Sequence, residues 1–281
     1  MFSITVAGRT LQCRSVLGYG VFGIVFKAFI EGPDIEVAVK FVFKEKYGQK
    51  IDPSRDFLSA EKLPLTLFDT GCVIRYYAVC PRCPFNNSKA ELIIMELADY
   101  GNLAESYSPI SGTPVVYSAN HARRHTVSII EAMHTLRVNN YVHRDLKPDN
   151  LLLTANGKLV LGDIAHLKYV GQGHTYREVR SVFSSLFRLL FVDSGGECVR
   201  LILHTGIIEH QHTVLGPVDT AAPELLEHFH NLQPHGKYDC EKSDVWSVAG
   251  IHFQLRSCLP FWDQQVLQFA HKDFTEATEG L

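Results

Sequence analysis

The sequence lacks the features of a membrane-spanning, fibrous or nucleic-acid-wrapping protein. In its 281 residues no apolar run approaches the roughly 20 residues that a membrane span needs. Its 27 lysines and arginines are balanced by 30 aspartates and glutamates, whereas a nucleic-acid surface needs clustered positive charge. Internal repeats and low-complexity tracts are missing as well. We therefore expect a globular chain with no nucleic-acid and no membrane partner.

Cysteine is too sparse for a disulfide framework. The chain has 7 cysteines, an odd number, scattered along its length. That usage is typical of reduced thiols inside the cell. The N-terminal residues also lack the basic and apolar regions of a secretory signal. These observations predict a cytoplasmic location, with a nuclear one as the alternative.

Short apolar runs bounded by turn residues dominate the first hundred residues and predict β-strands. The clearest two cover 37–43 and 91–97. Between them we expect one helix, which opens near Pro53 and stops near Pro64. This first part of the chain is therefore predicted to be mainly a small β-sheet.

From about Ala119 onward the apolar residues recur at helical spacing. One helix is predicted to end at Asn139 and Asn140, and others are expected over 179–191 and 245–255. A strand-rich part followed by a helix-rich part predicts two lobes with a hinge at 98–101. The predicted lobes are 1–98 and 99–281.

Residues 17–25 hold a G-x-G-x-x-G-x-V pattern with its glycines at Gly18, Gly20 and Gly23. Glycines let backbone N–H groups approach phosphate oxygens with no Cβ in the way. The same spacing occurs in dinucleotide-binding turns, but those require a helix directly afterwards. Residues 24–29 alternate like a strand, which favours a glycine-rich hairpin. A purely structural turn is the remaining alternative.

Lys40 stands at the end of a predicted buried strand, where an ammonium group needs an anionic partner. A phosphate would serve, and so would a carboxylate. Glu61, on the predicted helix, is the candidate carboxylate.

The densest group of charged and amide residues is H-R-D-L-K-P-D-N at 143–150, enclosed by apolar runs. A second strand-like run then leads to Asp163. Asn150 and Asp163 together could hold a hard cation through oxygen ligands, as phosphate-bound Mg²⁺ requires.

Two further motifs follow the segments described above, an A-P-E triplet at 222–224 and D-V-W-S at 244–247. Together, these motifs resemble those of eukaryotic protein kinases of the serine/threonine type. The resemblance covers roughly residues 11–262. It implies an α+β, bilobal fold: a small antiparallel N-lobe sheet with one helix, and a mainly α-helical C-lobe. It also implies transfer of the γ-phosphate of Mg-ATP to serine or threonine hydroxyls of a protein substrate.

The resemblance implies a role for each matching residue. Lys40 would bind the α- and β-phosphates of ATP and pair with Glu61, and Asn150 and Asp163 would ligate Mg²⁺. Asp145 would accept the proton of the substrate hydroxyl, and Lys147 would neutralise the γ-phosphate. The other residues expected around ATP are Gly18, Gly20, Gly23, Val25, Ala38, Met95, Glu96 and Ala98.

Substrate class depends on fewer residues. Lys147 is typical of serine/threonine kinases, and Thr213 falls where many of them carry an activating phosphothreonine. A phosphate there would face Arg144 and order the segment, although an ordinary exposed threonine is an equal alternative. Pro217 resembles the tyrosine-kinase sequence, so tyrosine or dual specificity is the competing hypothesis.

The chain departs from the family pattern in three places. The Asp-Phe-Gly motif reads Asp163-Ile164-Ala165, which reduces backbone freedom at the start of the activation segment. That segment is extended by an insert near 171–210, interpreted as a docking or autoinhibitory helix, a packing insertion or a gene-model error.

The third departure is the expected absence of the terminal C-lobe helices, which would leave Glu224 without its arginine and favour a partner that covers the incomplete lobe. These departures motivate the alternative of a non-catalytic, kinase-like binding or scaffold module.

Two weaker motifs have no place in this scheme. Cys80 and Cys83 have C-x-x-C spacing, but no second pair lies at zinc-finger distance, so two thiols in a β-turn are favoured over a zinc site. Histidine pairs at 210–212 and 228–230 are interpreted as surface residues in preference to metal ligands.

Overall fold

The computed structural model describes residues 1–20, 23–46, 49–50, 62–85, 88–107, 115–170, 177–178, 204–205, 210–213, 220–223, 225 and 235–258. The chain divides into two compact units. The first unit comprises Met1–Glu105 and Asp149–Lys168, and the second unit comprises Ser106–Pro148 and Tyr169–Leu281. Among the described residues, no helix is both long enough and apolar enough to cross a membrane.

The first unit is built on a fully antiparallel sheet. Its strands are β1 (Phe2–Val6), β2 (Arg9–Gly20), β3 (Gly23–Ile30), β4 (Ile35–Lys46), β5 (Gln49–Lys50), β6 (Tyr76–Phe85) and β7 (Ser88–Met95). They lie in the order β1-β2-β3-β4-β7-β6, with β5 paired to β4. The predicted strand at 37–43 falls within β4, whereas the one predicted at 91–97 extends two residues past the end of β7 at Met95.

The two faces of this sheet carry different residues because side chains alternate along each strand. One face packs into the sheet core, a cluster of buried residues: Leu11, Cys13, Ala28, Val37, Val39, Phe41, Ala90, Leu92 and Ile94. Aromatic rings extend this cluster, and Phe26 meets Phe41 edge to face at 5.8 Å between centroids. Ala38 and Lys40 alternate with the core residues of β4 and therefore lie on the opposite face, which we call the open face.

Residues Asp149–Lys168 join the first unit through backbone hydrogen bonds. Their strands β9 (Leu151–Leu153) and β10 (Leu159–Leu161) form an antiparallel hairpin. The N–H of Leu161 donates to the carbonyl of Cys72, and its carbonyl accepts from Ile74, each at 2.9 Å. These long-range bonds, which the hydrophobic pattern does not reveal, explain why a segment after the predicted hinge groups with the sheet.

Two helices dominate the second unit. Helix α2 (Ala119–Val138) begins after Ser118, whose hydroxyl accepts from the N–H of His121, and ends at the predicted Asn139 and Asn140. Helix α3 (Cys240–Ser257) covers the predicted 245–255 and is capped by Asp239, which accepts from the first backbone N–H groups. The antiparallel sheet and these helices confirm the predicted α+β class.

The helices α2 and α3 pack together, and polar side chains connect them. The hydroxyl of Thr126 and Nδ1 of His252 are 2.7 Å apart in a buried hydrogen bond, and Arg137 forms an ion pair with Glu241. The remaining elements are α1 (Leu103–Tyr107), β8 (Tyr141–Val142), β11 (Lys168–Tyr169), β12 (Arg177–Glu178), β13 (His204–Thr205), β14 (His210–Thr213) and β15 (His235–Tyr238), with β12 paired to β13 and β14 to β15.

Several predictions concern residues outside those described. They are the helix between Pro53 and Pro64, the apolar helical stripe over 179–191, and the chain after residue 258. The predicted thiol turn at Cys80 and Cys83 was wrong, because both cysteines lie within strand β6. Proline is tolerated there because β6 is the last strand in the described sheet order and is bulged at this point.

Candidate active site

The glycine-rich segment forms the predicted hairpin. Strands β2 and β3 pair up to the last residues before their connection, where Gly20 lies opposite Gly23. A Cβ at Gly23 would lie 2.2 Å from the carbonyl oxygen of Phe41, so the sheet itself requires glycine there. A Cβ at Gly18 would meet nothing within 4 Å. A strand follows the glycines, which excludes the dinucleotide-binding turn.

Strand register brings four of the expected nucleotide-binding residues to the open face. Val25 of β3 lies opposite Lys40 of β4, and Ala38 lies opposite Met95 of β7. Cross-strand partners project to the same side of a sheet, so Val25, Lys40, Ala38 and Met95 share one surface. Both Ala38 and Met95 are buried.

The backbone after Met95 leaves the sheet with hydrogen bonds of its own. The N–H of Glu96 donates to the carbonyl of Arg75 at 2.9 Å, and the carbonyl of Ala98 accepts from Gly101 at 3.4 Å.

The ammonium group of Lys40 forms an ion pair with the carboxylate of Asp163. Lys40 is largely buried, with 12% of its side chain exposed, so the anionic partner that its position demanded is present. The expected partner Glu61 lies outside the described residues. Asp163 adopts the left-handed backbone conformation, with φ of 41°.

Asn150 lies at the same end of the β9–β10 hairpin as Asp163. Asn150 directly precedes β9, and its carbonyl accepts a 2.7 Å hydrogen bond from the N–H of Gly162, which follows β10. A Cβ on Gly162 would lie 2.8 Å from Cδ1 of Leu152, a side-chain atom that would have to shift to make room for it. An amide and a carboxylate oxygen form a donor set that fits Mg²⁺.

Tyr76 is a residue beside Asp163 that sequence reasoning missed. Its ring stacks on Phe68 with centroids 4.9 Å apart. Burial raises the pKa of its hydroxyl, the charge of Asp163 raises it further, and the backbone N–H of Ile164 lowers it. No motif includes Tyr76, so the sequence offers no signal for this neighbour of Asp163.

Asp145 and Lys147 form a second charged pair, in the second unit. Nζ of Lys147 lies 3.0 Å from Oδ2 and 3.3 Å from Oδ1 of Asp145. Asp145 is buried, and its backbone N–H donates to Nδ1 of His143 at 3.3 Å. The sequence placed these residues in one loop, and the geometry gives the carboxylate a cation within hydrogen-bond distance.

Helix α3 holds this loop by its backbone. The buried carboxylate of Asp244 accepts from the N–H of His143 at 2.7 Å and from that of Arg144 at 2.8 Å. Burial raises the pKa of Asp244, and the charge and backbone N–H of His143 and Arg144 oppose that rise. Arg144 itself has φ of 68°, a conformation that these fixed hydrogen bonds help to hold.

Thr220 adds a further attachment to the same loop. Its hydroxyl donates to the carbonyl of Leu146 at 3.0 Å, and its own carbonyl accepts from the hydroxyl of Ser247 at 2.9 Å. The D-V-W-S motif contains Asp244 and Ser247 and was the available sequence signal for both, although the sequence did not indicate what they do. Thr220 belongs to no recognised motif, so the sequence offered no signal for it.

The substituted motif at 163–165 places a buried apolar side chain at the start of a short helical turn. Ile164 is fully buried, so it fills an apolar site. Ala165 lies in a short 3₁₀ helix, Ile164–His166, a conformation that alanine adopts readily. Thr213 ends strand β14 opposite His235, and Glu224 and Pro217 lie outside the described residues.

Comparison with known proteins gives a consistent set of similarities. A family model described as "Protein kinase domain" matches residues 11–187. The chain is 25% identical over 88% of its length to serine/threonine-protein kinase ATG1a of Arabidopsis thaliana. It is 27% identical over 93% of its length to CBL-interacting serine/threonine-protein kinase 26 of the same plant. It is 32% identical over 56% of its length to NUAK family SNF1-like kinase 2 of Homo sapiens.

The chain spans less than half of each of these curated relatives. It covers 31% of the ATG1a kinase, 48% of the CBL-interacting kinase and 23% of the human NUAK family kinase.

Proposed function

Since the chain belongs to the protein kinase family, we propose that it is an active kinase that transfers the γ-phosphate of Mg-ATP to serine or threonine hydroxyls of protein substrates. The observation that carries this proposal is the pair formed by Asp145 and Lys147 at 3.0 Å. A proton acceptor and a phosphate-neutralising cation are the two groups that phosphoryl transfer needs beside the substrate hydroxyl.

The first unit supplies the residues that would hold nucleotide and metal. The ammonium group of Lys40 would bind phosphate oxygens, and Asn150 and Asp163 would ligate Mg²⁺. The metal's chemical contribution, when bound, is neutralisation of phosphate charge. Val25, Ala38 and Met95 would offer the adenine ring an apolar surface, because the strand register turns them to the open face.

The second unit supplies the groups that act on the substrate. Asp145 would take the proton from the attacking hydroxyl, and Lys147 would stabilise the negative charge of the phosphoryl group in transfer. The hydrogen bonds from His143 and Arg144 to Asp244 support a fixed position for Asp145, and fixed positioning accounts for much of the catalysis of phosphoryl transfer.

A non-catalytic, nucleotide-binding scaffold is the second candidate. It is favoured by the ion pair between Lys40 and Asp163, which engages both residues with each other, and by Ala165 in the substituted motif. Under either function, Thr213 remains a proposed phosphorylation site that would face Arg144.

The test is incubation of the purified chain with Mg-ATP and a mixed pool of serine, threonine and tyrosine peptides, followed by phosphosite mapping. We expect phosphoserine and phosphothreonine from the wild type and none from Asp145→Asn. Asp149→Asn makes the same chemical change at an exposed aspartate of the same segment and should retain activity.

Other outcomes distinguish the alternatives. Phosphate on tyrosine alone would replace the proposed substrate class. A thermal shift with Mg-ATP but no transfer to any peptide would overturn the proposed activity in favour of the scaffold.

A further inference from the structure

Strand β6 contains a bulge between its two cysteines. The step from Cys80 to Cys83 spans three residues of β6, whereas the facing step on β7, from Leu92 to Ala90, spans two. One extra residue is therefore inserted in β6, the defining feature of a β-bulge. Pro81 lies within this bulge, where proline is tolerated because a bulge leaves ladder donors unused.

The bulge brings both thiols to the same face of the sheet. In a regular strand, residues three apart project to opposite faces. Here Cys80 and Cys83 lie opposite Leu92 and Ala90, which both belong to the sheet core, and both cysteine side chains pack against that core. The register shift therefore converts a C-x-x-C spacing into adjacent thiols on one surface.

The separation of the two cysteines lies at the upper limit for a disulfide. Because the facing step on β7 spans two residues at about 3.3 Å each, the Cα atoms of Cys80 and Cys83 are about 6.6 Å apart, and disulfides join Cα atoms about 4.4–6.8 Å apart. Side chains on one face of a strand are nearly parallel, so closure requires the bulge to bring the two Cβ atoms to within about 3.5–4.5 Å of each other. Both cysteines are only partly buried, and β6 is the last strand in the described sheet order, so a small reagent can reach them.

The electrostatics agree with this adjacency. Burial raises the pKa of the Cys83 thiol, and the neighbouring Cys80 raises it further, as expected of two thiols that would place like charges close together. Within the part of the chain that the structure describes, no group of three or more His, Cys, Asp or Glu side chains could hold a metal ion.

We propose that Cys80 and Cys83 form a redox-sensitive dithiol that closes to an intrastrand disulfide by exchange with a small-molecule disulfide such as oxidised glutathione. One cysteine thiolate attacks a sulfur of glutathione disulfide, which forms a mixed disulfide and releases one glutathione thiolate. The second cysteine thiolate then attacks the protein sulfur of that mixed disulfide and releases the second glutathione thiolate. Two protein thiols are oxidised, one glutathione disulfide is reduced, and the two protons pass to the released thiolates.

This site is separate from the proposed phosphate transfer. The cysteines face the sheet core, whereas Lys40, Ala38 and Met95 lie on the open face. Its test therefore needs no nucleotide and no measurement of kinase activity.

The test is exposure of the folded 281-residue chain to graded ratios of oxidised to reduced glutathione. Remaining thiols are then alkylated, and the peptides that contain Cys80 and Cys83 are mapped by mass spectrometry. We expect one peptide in which both cysteines resist alkylation, carry no glutathione and become alkylatable after reduction. Closure should be faster at pH 9 than at pH 7, because exchange requires thiolate.

Three variants make the test specific. Cys80→Ser and Cys83→Ser should each stop at the mixed disulfide with glutathione. Ala78→Cys combined with Cys80→Ala keeps the composition and the face but moves the thiol two cross-strand pairs away, to the residue opposite Ile94. Its Cα is then about 13 Å from that of Cys83, so this variant should not close.

Two results would overturn the proposal. In the first, both wild-type cysteines carry glutathione without closing. In the second, the shifted-thiol variant closes as readily as the wild type.

Discussion

The charged pairs of the two units are held in opposite ways. In the first unit, Lys40 and Asp163 are held by each other, side chain to side chain. In the second unit, the loop that carries Asp145 and Lys147 is held through its backbone by the buried carboxylate of Asp244. A side-chain ion pair can exchange one partner for another, whereas a backbone held by a buried acceptor cannot move without leaving donors unsatisfied. The side-chain ion pair suits groups that must exchange partners with a ligand, and the backbone attachment suits groups that must stay in place.

The largest effect is expected at Asp244. Asp244→Ala leaves the N–H groups of His143 and Arg144 without their acceptor and should lower the free energy of unfolding by about 3 kcal/mol, with loss of phosphate transfer. Asp244→Asn retains one acceptor oxygen and should therefore lose less stability and less phosphate transfer than Asp244→Ala. Urea unfolding and a transfer assay measure the two effects, with Asp149→Ala as the exposed control. An unchanged unfolding midpoint for Asp244→Ala would show that the Asp244 carboxylate does not hold the loop in place.

A smaller effect separates two glycines of the hairpin. Gly23→Ala forces a Cβ against the carbonyl of Phe41 and should lower the free energy of unfolding by about 2 kcal/mol. Gly18→Ala meets open space and should leave stability nearly unchanged. Thermal unfolding of the two variants makes this test, and equal midpoints would contradict the sheet packing described here. These two variants show whether the first unit also contains a backbone position that cannot shift to accommodate a larger side chain.

Titration of Glu241 tests the helix that holds the loop. Burial raises the pKa of Glu241 from 4.5 to about 7, with the charge of Arg137 opposing the rise. The folded state therefore binds the proton more tightly than the unfolded state. The resulting stabilisation is complete below about pH 4.5 and is lost as the pH rises through about 7.

We therefore expect the wild type to lose stability relative to Glu241→Gln between pH 5 and pH 8. The quantity to plot is the difference in melting temperature between the two proteins, because burial lowers the pKa of His252 on the same helix and gives the opposite slope. A difference that does not change with pH would contradict the raised pKa.

The smallest effect on stability is expected at Lys40. Lys40→Met breaks the ion pair with Asp163 but should change the free energy of unfolding by less than about 1 kcal/mol, because Asp163 remains partly solvated. Phosphate transfer should nevertheless be lost. Urea unfolding and the transfer assay together make this test. A stability loss as large as that of Asp244→Ala would show that both pairs are held alike.

The sequence was most informative where the signal is local. The strands at 37–43 and 91–97 and the end of helix α2 at Asn139 and Asn140 follow from apolar spacing and from residues that terminate helices. The glycine hairpin followed from the alternation of the residues after it. Asn150 and Asp163 were predicted to act together, and the hairpin between them brings them to one end.

The sequence was least informative where pairing between distant segments decides the structure. The hydrogen bonds of Leu161 with Cys72 and Ile74 attach Asp149–Lys168 to the first unit, and no periodicity encodes them. The thiol pair depends on a single register shift in β6, which reverses the face of every residue beyond it. The β-turn predicted for Cys80 and Cys83 was wrong because the strand continues through the bulge between them.

The hydrogen bonds to Asp244 also determine when, during synthesis of the chain, the loop at 143–150 can become fixed. His143 and Arg144 precede their acceptor by 101 and 100 residues. At about 5–20 residues per second, synthesis on the ribosome brings Asp244 out roughly 5–20 s after the loop it holds. During that interval the nascent chain already contains H-R-D-L-K-P-D-N but lacks the acceptor for its backbone. Maturation of this loop is therefore a late event, completed only when helix α3 has been made.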